Sequence, residues 1–478
     1  MSARNPNLAA LLVEHPFSDD EPLLLTGERS VTAGAARRAA AALATQLENA
    51  GLRPGQAVAV RGPNGPDLVT NMFGVWLAGG VFVPVNDRAP ADELDRVLVG
   101  VHPAFVLDGA RLESCTDPSD HGAEAAFVLW TSGTTGAPKA ILHTHEAYLE
   151  LLDRVLGPLR AKPSHAGHRT TPNLIPVSLA LNAGIYNVLF GLRAGAAIVI
   201  MERFETSTFA SLIRRFGITS TVLAPAAITM LCDDDAITTL APLRYVRSIT
   251  APLSPVQARR FTDRFGVFVL NGYGQAEIGE VIGWIAADAR AHPDKLGAVG
   301  RPHPGVAVKV IDDDGAPRAA GAVGELLVKP PRMAVGYAGP GGADTFRERL
   351  DPDGFVHTGD LARVDDDGFV WIEGRIGEVI NRGGNKVFPE HVEEVLRLAP
   401  GVRDAAVVGV PDERLGEVPV AFVVADRVDA AELEQLCRAH LLPYKVPVAF
   451  HEIEALPRND VGKVLRRELI RHAEAFPR

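Results

Sequence analysis

The apolar residues in the first 300 positions fall into short runs separated by amphipathic stretches. Residues 56–61 and 81–85 are typical of strands, and residues 67–78 between them are typical of a helix. The alternation continues in three apolar runs and two amphipathic segments: strands at 196–201, 220–223 and 267–270, and helices at 207–216 and 255–265. Strands that alternate with helices predict an α/β fold of layered subdomains with largely parallel pairing.

The pattern changes after Ala307. Turn signals at 312–315 and 365–368 separate alternating stretches, which predicts a small β-barrel-like subdomain. A compact α+β unit follows Arg375, with helices at 390–397 and 430–440 and strands at 405–410 and 418–424. A chain of 478 residues is too long for one core. We therefore predict a large N-terminal domain over residues 1–374 and a small domain over residues 375–478.

The composition is ordinary for a globular protein, with 47% hydrophobic and 22% charged residues. The formal net charge is −11, which argues against nucleic acid as a partner. Cys115, Cys232 and Cys437 lie far apart, so neither a disulfide framework nor a zinc site is predicted. Residues 1–20 show no signal pattern, and no apolar run reaches about 18 residues. We expect a cytoplasmic protein without a transmembrane segment.

A loop rich in hydroxyls and glycine follows the apolar run 127–130. It contains four hydroxyl residues, two glycines and a lysine: Thr131, Ser132, Gly133, Thr134, Thr135, Gly136 and Lys139. Glycines let backbone N–H groups turn inward as an anion nest, hydroxyls add donors, and Lys139 adds a positive charge. The loop therefore predicts a polyphosphate site, although its spacing differs from that of a Walker A loop.

Further motifs follow this loop in a fixed order. They are Asn-Gly-Tyr-Gly-Gln-Ala-Glu at 271–277, His-Thr-Gly-Asp-Leu at 357–361, Gly-Arg at 374–375 followed by 381–390, and residues 457–469, which contain Lys463. Together these motifs resemble those of the adenylate-forming superfamily of acyl-CoA synthetases, adenylation domains and luciferases. The chain is most similar to a stand-alone acyl-CoA synthetase. Each motif alone means little, whereas their joint order along the chain is specific.

The resemblance implies an ATP- and AMP-binding site. Lys139, Glu277 and Lys463 are the implied catalytic residues, and Glu277 also holds Mg²⁺. Tyr273 flanks adenine, and Asp360 accepts hydrogen bonds from the ribose hydroxyls. The other residues implied to bind nucleotide are Thr131, Ser132, Gly133, Thr134, Thr135, Gly136, Thr250, Ala251, Pro252, Asn271, Gly272, Gly274, Gln275, Ala276 and Arg375. One of them departs from the family pattern, because Ala276 stands where the family has threonine.

The implied acyl pocket is lined by Leu181, Asn182, Ala183, Gly184, Asn187, Gly272, Ile278 and Gly279. This lining suits a bulky apolar or aromatic acid, with one polar contact from Asn182 or Asn187. No acidic residue occurs between positions 172 and 195, where amino-acid-activating relatives place an aspartate. An α-amino acid is disfavoured, because its ammonium would be buried without a partner. The aromatic residue or histidine usual in this segment is also absent from residues 178–184.

The resemblance further implies that the small domain is mobile. Gly377 is the implied hinge, because glycine tolerates large φ/ψ changes. Gly384 is expected to leave room for pantetheine, and Lys386 to line the thiol channel. A solvated surface lysine is the competing interpretation of Lys386.

Two pairs of charged or titratable residues receive a simpler interpretation. His143 and His145 could suggest a metal pair, but we favour strand-end residues near the pocket. Arg466 and Arg467 are interpreted as charges on a helix surface.

These residues imply ATP-dependent activation of a carboxylic acid to an acyl-adenylate, followed by transfer to a thiol. ATP, Mg²⁺ and CoA are the implied small molecules. CoA is the favoured acceptor because no carrier domain follows residue 478. A separate carrier protein's phosphopantetheine, or an amine, is the alternative. A non-catalytic nucleotide-binding protein is a third class, which the joint presence of the implied catalytic residues disfavours. Whether the protein forms a homodimer is left open.

Overall fold

The computed structural model describes residues 7–89, 91–131, 139–159, 171–249, 253–339, 342–425, 427, 429–458 and 463–475. Its strands are β1 (Pro22–Leu25), β2 (Ser30–Thr32), β3 (Ala57–Gly62), β4 (Val81–Asn86), β5 (Phe105–Asp108), β6 (Arg111–Ser114), β7 (Ala125–Thr131), β8 (Lys139–Thr144), β9 (Asn173–Ile175), β10 (Ile198–Ile200), β11 (Ser220–Leu223), β12 (Tyr245–Ser248), β13 (Phe268–Gln275), β14 (Gly279–Gly283), β15 (Arg301–Pro302), β16 (Ala307–Ile311), β17 (Gly324–Lys329), β18 (Gly336–Tyr337), β19 (Val356–Val364), β20 (Val370–Arg375), β21 (Ile380–Arg382), β22 (Asn385–Val387), β23 (Val402–Asp412), β24 (Gly416–Ala425) and β25 (Ala449–Glu452).

The helices alternate with these strands. They are α1 (Ala10–Val13), α2 (Ala33–Asn49), α3 (Pro66–Leu77), α4 (Ala91–Val101), α5 (His145–Leu156), α6 (Asn182–Arg193), α7 (Thr206–Phe216), α8 (Pro225–Asp233), α9 (Pro255–Phe265), α10 (Ala286–Ala291), α11 (Gly342–Arg347), α12 (Pro389–Leu396), α13 (Ala430–His440) and α14 (Arg466–Ala475). Short 3₁₀ turns cover Gly157–Leu159, Pro293–Lys295, Ile376–Glu378 and Pro443–Lys445. Among the described helices, none combines the length and apolarity needed to cross a membrane.

Two large sheets organise the first part of the chain. Within the described ranges, one has the strand order β18-β8-β7-β4-β3-β5-β6 and the other β15-β14-β13-β12-β11-β9-β10-β1-β2. The centre of each sheet is parallel, as in β3–β4 and β11–β12. Helices α2, α3, α5 and α6 pack between them in a continuous apolar core that includes Phe73, Trp76 and Tyr148. The predicted layered α/β architecture is confirmed.

Two smaller antiparallel assemblies follow, as the change in pattern predicts. Strands β16, β17, β19 and β20 form one sheet, and its apolar face packs against Val281 and Ile282 of β14. In the last part of the chain, β21 to β24 form a second sheet, and β25 pairs in parallel with β24. Helix α12 covers one side of it, and α14 packs on β23 with Leu469 buried. The chain therefore has the predicted large α/β part and small α+β part.

The predicted element boundaries agree closely with these bounds. Strand β11 and helices α9 and α13 begin and end where the sequence places them. Strand β13 is the main exception, because it continues past the predicted end at 270 as far as Gln275. Its polar and glycine-rich half pairs with β14, which brings Tyr273 opposite Ile282. The motif that carries Tyr273 is therefore a strand end.

Candidate active site

The hairpin of β7 and β8 holds both ends of the predicted phosphate loop. Thr131 lies directly opposite Lys139 in the strand register. The Lys139 ammonium lies 4.6 Å from the centroid of the Tyr337 ring, because β18 adds Tyr337 beside Ile141 of β8. The side chain of Thr131 and several other predicted residues lie outside the described residues: Ser132, Gly133, Thr134, Thr135, Gly136, Thr250, Ala251 and Pro252.

Glu277 lies in the turn between β13 and β14 and is buried. Its Oε1 accepts hydrogen bonds from Arg349 Nη1 at 2.7 Å and from the Tyr337 hydroxyl at 3.1 Å. Arg349 Nη2 donates to Gln275 Oε1 at 2.8 Å, so one guanidinium orients two residues of the motif. A buried carboxylate whose donors converge on one oxygen suits a hard cation on the other. Glu277 therefore fits the role of a Mg²⁺ ligand.

Asp360 is the convergence point of three protein donors. Its Oδ2 accepts hydrogen bonds from the Tyr273 hydroxyl at 2.5 Å and from Gln275 Nε2 at 3.0 Å. Its Oδ1 accepts a hydrogen bond from Arg375 Nε at 2.8 Å. Asp360 and Arg375 are also paired in the β19–β20 register, so the sheet itself sets this ion pair. The structure thus joins three predicted nucleotide-binding motifs at one carboxylate.

Lys463 brings the end of the chain to the same place. Burial, together with the neighbouring positive charge of Arg375, lowers the pKa of Lys463 to about 8, although Glu378 and Asp360 act in the opposite direction. Lys463 lies more than 80 residues from each of these groups in sequence. The predicted catalytic lysine and the predicted ribose carboxylate are therefore neighbours in the fold.

Tyr337 and Arg349 belong to this site but were not predicted. Both contact the Glu277 carboxylate, and Tyr337 also lies beneath Lys139. They come from β18 and from the loop after α11, and both lie outside the predicted motifs. No local pattern marks them. Ala276, by contrast, packs against an apolar cluster that includes Tyr337, which accounts for an apolar residue at that position.

The predicted acyl-pocket residues surround the N-terminus of α6. Leu181 precedes the helix, and the Tyr148 hydroxyl donates to Asn182 Oδ1 at 2.8 Å. Asn187 is buried, and its Nδ2 donates to the Ala183 carbonyl one turn earlier. Gly184 needs to be glycine, because an added Cβ would lie 2.1 Å from the Ser178 carbonyl oxygen. These contacts explain the residue types, and their role in binding an acid stays a prediction.

The β13–β14 side of the predicted pocket is equally tight. Gly279 has φ +65°, and a Cβ there would lie 2.5 Å from Leu151. A Cβ on Gly274 would lie 2.2 Å from the Gly279 carbonyl oxygen. Ile278 is buried in the core between β14 and the four-stranded sheet. Gly272 has the most space of these three glycines, because the nearest neighbour of an added Cβ would be 3.7 Å away.

A buried ionic group lies beside Gly272, and no sequence pattern predicts it. The Glu280 carboxylate accepts hydrogen bonds from Arg247, from His303 Nε2 at 3.0 Å and from the Tyr186 hydroxyl at 3.3 Å. Burial raises the pKa of Glu280, but Arg247 and His303 outweigh it and lower the pKa to about 2. Arg247 alternates with apolar residues on β12, and Tyr186 follows the pocket segment on α6. The predicted pocket thus has a charged, internally neutralised neighbour.

The residues predicted for domain movement have local structural roles. Gly377 lies in the 3₁₀ turn Ile376–Glu378, with no atom within 4 Å of an added Cβ. Gly384 has φ +83° in the β21–β22 turn, which favours glycine there. The Lys386 ammonium pairs with Asp313 at 2.9 Å, and both side chains are exposed. The hinge and the thiol channel stay predictions.

Two interpretations of charged residues are now decided by burial. His143 and His145 lie at the junction of β8 and α5 inside an aromatic cluster, and burial lowers the pKa of His143 to about 3 and that of His145 to about 4. In the described part of the chain, no three or more histidine, cysteine or carboxylate side chains are placed so that they could hold a metal ion together. The interpretation of Arg466 as a surface charge is wrong, because its side chain is 18% exposed and pairs with carboxylates. Arg467 is exposed, as predicted.

Comparison with known proteins supports the family assignment that the motifs imply. Residues 4–120 and 108–338 match the family model of the AMP-binding enzyme, and residues 391–463 match that of the AMP-binding enzyme C-terminal domain. Sulfoacetate–CoA ligase of Cupriavidus necator is 32% identical, over 98% of this chain and 98% of its own. The fatty acid–acyl-carrier-protein ligase ScoC of Streptomyces coeruleorubidus is 32% identical, over 94% of this chain and 92% of its own.

Solved structures agree with the sequence comparisons. The crystal structure of ATP-bound MatB from Rhodopseudomonas palustris matches with a TM-score of 0.87 at 25% identity, over 98% of this chain and 99% of that one. The match spans both the large and the small part of the chain. The predicted enzyme class, an acid–thiol ligase, agrees with the names of relatives that align along nearly the whole chain. The chain therefore belongs to the AMP-binding enzyme family, which confirms its resemblance to the adenylate-forming superfamily.

Proposed function

We propose that this enzyme uses ATP to convert a carboxylic acid to its acyl-adenylate and then transfers the acyl group to the thiol of CoA. The proximity of Lys463 to Asp360 and Arg375 is the observation that carries this proposal. A cation from the end of the chain beside a ribose-binding carboxylate suits nucleotidyl transfer, in which charge grows on phosphate oxygens.

In the first step, a carboxylate oxygen of the acid attacks the α-phosphorus of ATP, and pyrophosphate leaves with the electron pair of the broken P–O bond. Lys463 stabilises the charge on the α-phosphate, and Lys139 stabilises the leaving pyrophosphate. Glu277, oriented by Arg349, would hold Mg²⁺, which neutralises phosphate charge when bound. In the second step, the thiol sulfur attacks the acyl carbonyl carbon, its proton is lost, and AMP leaves.

We further propose a bulky apolar or aromatic acid as substrate. The space at Gly272, where an added Cβ would have no neighbour nearer than 3.7 Å, supports this choice. Glu280 is a carboxylate near this segment that could attract the ammonium of an amino acid. It already pairs with Arg247 and His303, however, so an ammonium would meet no uncompensated negative charge. The structural surroundings of Glu280 therefore support a substrate without an α-amino group.

The acceptor and the domain movement belong to the same proposal. CoA is supported by relatives named as CoA ligases, while ScoC supports the alternative of a carrier protein. We place the domain boundary between residues 374 and 375, with the hinge at Gly377. An exposed Lys386–Asp313 ion pair links the small domain to the turn after β16, and exposed pairs of this kind contribute little to stability. Rotation that breaks it would cost little.

The test is product analysis by mass spectrometry. The enzyme is incubated with ATP, Mg²⁺, a mixed library of acids, and either CoA or a phosphopantetheinylated carrier protein. We expect AMP, pyrophosphate and an acyl-CoA, and no product from Asp360→Ala. Asp235→Ala serves as the matched control because Asp235 is an exposed aspartate outside the site. Acyl transfer only to the carrier would replace CoA by the alternative acceptor, and amino acids as the best substrates would refute the proposed acid class.

A further inference from the structure

The Arg466 side chain joins three parts of the small domain. Its Nε donates to Glu378 Oε2 at 2.8 Å, at the end of the turn that contains the predicted hinge Gly377. Its Nη1 donates to Glu393 Oε1 of α12 at 2.6 Å and to the Val407 carbonyl of β23 at 2.7 Å. Its Nη2 lies 3.5 Å from Glu390 Oε1. One guanidinium thus ties the start of α14 to the hinge turn, a helix and the central sheet.

The carboxylates around Arg466 are themselves confined. Glu393 is buried, and its Oε1 also accepts a hydrogen bond from the Val407 N–H at 2.9 Å. Burial raises the pKa of Glu390, with Arg466 opposing that shift. Three carboxylates in low exposure around a single guanidinium make the geometry demanding, because an ammonium cannot donate along the same fork. The arrangement therefore fixes where α14 begins relative to Glu378.

Lys463 stands three residues before Arg466, so the intervening backbone spans at most about 10 Å. The short approach to α14 is held at both ends. Val464 bridges to Arg458, and the Leu465 N–H donates to the Pro457 carbonyl at 2.8 Å. Glu378 also interacts electrostatically with Lys463. The Glu378 carboxylate thus interacts with both Arg466 and Lys463.

We propose that Arg466 is a positioning residue that locks the Lys463 segment to Glu378, the residue directly after the hinge Gly377, so that Lys463 moves with the small domain as one rigid unit. This inference rests on the proposed role of Lys463 in adenylation. Arg466 does not touch the reacting atoms and acts through Lys463. A rotation about the hinge then brings Lys463 directly to the α-phosphate for adenylation. The reverse rotation withdraws Lys463 from the α-phosphate for the thiol step.

The test measures the two half-reactions separately in single turnover: acyl-adenylate formation, and thioester formation from supplied acyl-adenylate. The variants are Arg466→Lys, which keeps the charge but loses the fork, and Glu378→Gln, which weakens the link to the hinge turn and also removes the negative charge that acts on Lys463. Each is made alone and together with Lys463→Ala. Arg467→Gln is the matched control, because the adjacent arginine is exposed. Circular dichroism and thermal melting check that each variant is folded.

We expect Arg466→Lys and Glu378→Gln to slow adenylation by roughly 10- to 100-fold, the scale of a 1 Å misplacement, while thioester formation persists. Neither should slow adenylation further in the Lys463→Ala background, because groups that act through one another are not additive. Equal slowing of both half-reactions would overturn the proposal, and so would an equal slowing of adenylation by these variants in the Lys463→Ala background. Arg466 would then serve only the stability of the fold. If Arg466→Lys does not fold, Glu378→Gln decides. Normal adenylation by Lys463→Ala alone would instead refute the proposed function on which the inference rests.

Discussion

The Tyr273 hydroxyl donates a hydrogen bond to Asp360 Oδ2 at 2.5 Å. This contact joins the residue implied to flank adenine to the residue implied to hold ribose. Gln275 and Arg375 occupy further acceptor positions on the same carboxylate. A carboxylate offers about four such positions, so the two ribose hydroxyls must share or displace protein donors. The protein network therefore preorganises Asp360 and also competes with the nucleotide for it.

Replacing Tyr273 by phenylalanine separates the ring from the hydroxyl. Tyr273→Phe keeps the aromatic face for adenine and frees one acceptor position on Asp360. We expect the KM for ATP to stay within about threefold of the wild-type value, because the stacking surface is retained. The melting temperature should fall, since a hydrogen bond to a charged group contributes about 1.5–3 kcal/mol. Tyr273→Ala is the comparison, and equal KM values for the two variants would contradict a role for the ring.

The Glu277 carboxylate should determine how much Mg²⁺ the enzyme requires. Glu277→Gln keeps the shape and the contact with Tyr337 but removes the negative charge. We expect the Mg²⁺ concentration for half-maximal ATP–pyrophosphate exchange to rise at least roughly tenfold, the lower end of the loss seen even for outer-shell partners. Glu434→Gln is the control, because that partly exposed glutamate pairs with Arg438 on α13, away from the site. An unchanged Mg²⁺ requirement would remove Glu277 from the metal site.

The lowered pKa of Lys463, about 8, predicts how adenylation depends on pH. The protonated form stabilises the phosphate, so activity is present below the pKa and is lost as the pH rises through it. We expect kcat/KM for ATP in pyrophosphate exchange to fall about tenfold per pH unit above pH 8. Lys463→Arg, although slower overall, should lack this decline because arginine stays charged. The same decline in Lys463→Arg would assign the ionisation to another group.

Gly374 lies at the predicted domain boundary, and its backbone position leaves no room for a side chain. Its φ is +150°, and an added Cβ would lie 2.9 Å from Glu390 Oε2. We expect Gly374→Ala to destabilise the protein by about 1–3 kcal/mol, the cost of a strained backbone position. Differential scanning calorimetry would measure the loss. Gly377→Ala, with no neighbour within 4 Å, should melt like the wild type. Equal melting of both variants and the wild type would contradict this reading of Gly374.

Local sequence patterns predict the fold well where a helix or strand is determined by its own apolar and polar residues. Helix α9 and strand β11 follow directly from amphipathic and apolar runs. The predicted strand ends five residues before β13 does, because the second half of β13, which carries Tyr273, is polar and glycine-rich. Pairing with β14 satisfies that backbone, and a partner strand is not visible in the run itself.

The site residues that lie within sequence motifs were predictable, and those outside the motifs were not. Asp360, Arg375 and Lys463 come together as their motifs imply, although they come from different strands and from the end of the chain. Arg349 was missed because it reaches Glu277 from a loop without any motif. Arg466 was misread because its position at the start of a helix resembles that of the exposed Arg467. Only tertiary packing reveals that one of two adjacent arginines is buried among carboxylates.

The central claim is that Lys463 serves the adenylation step and is absent from the thiol step. The most direct measurement is single-turnover kinetics of Lys463→Ala in the two half-reactions. We predict that acyl-adenylate formation slows by roughly 10²–10³, the scale of removing one preorganised donor to a transition state. Thioester formation from supplied acyl-adenylate should proceed at the wild-type rate. Equal damage to both half-reactions would contradict the account.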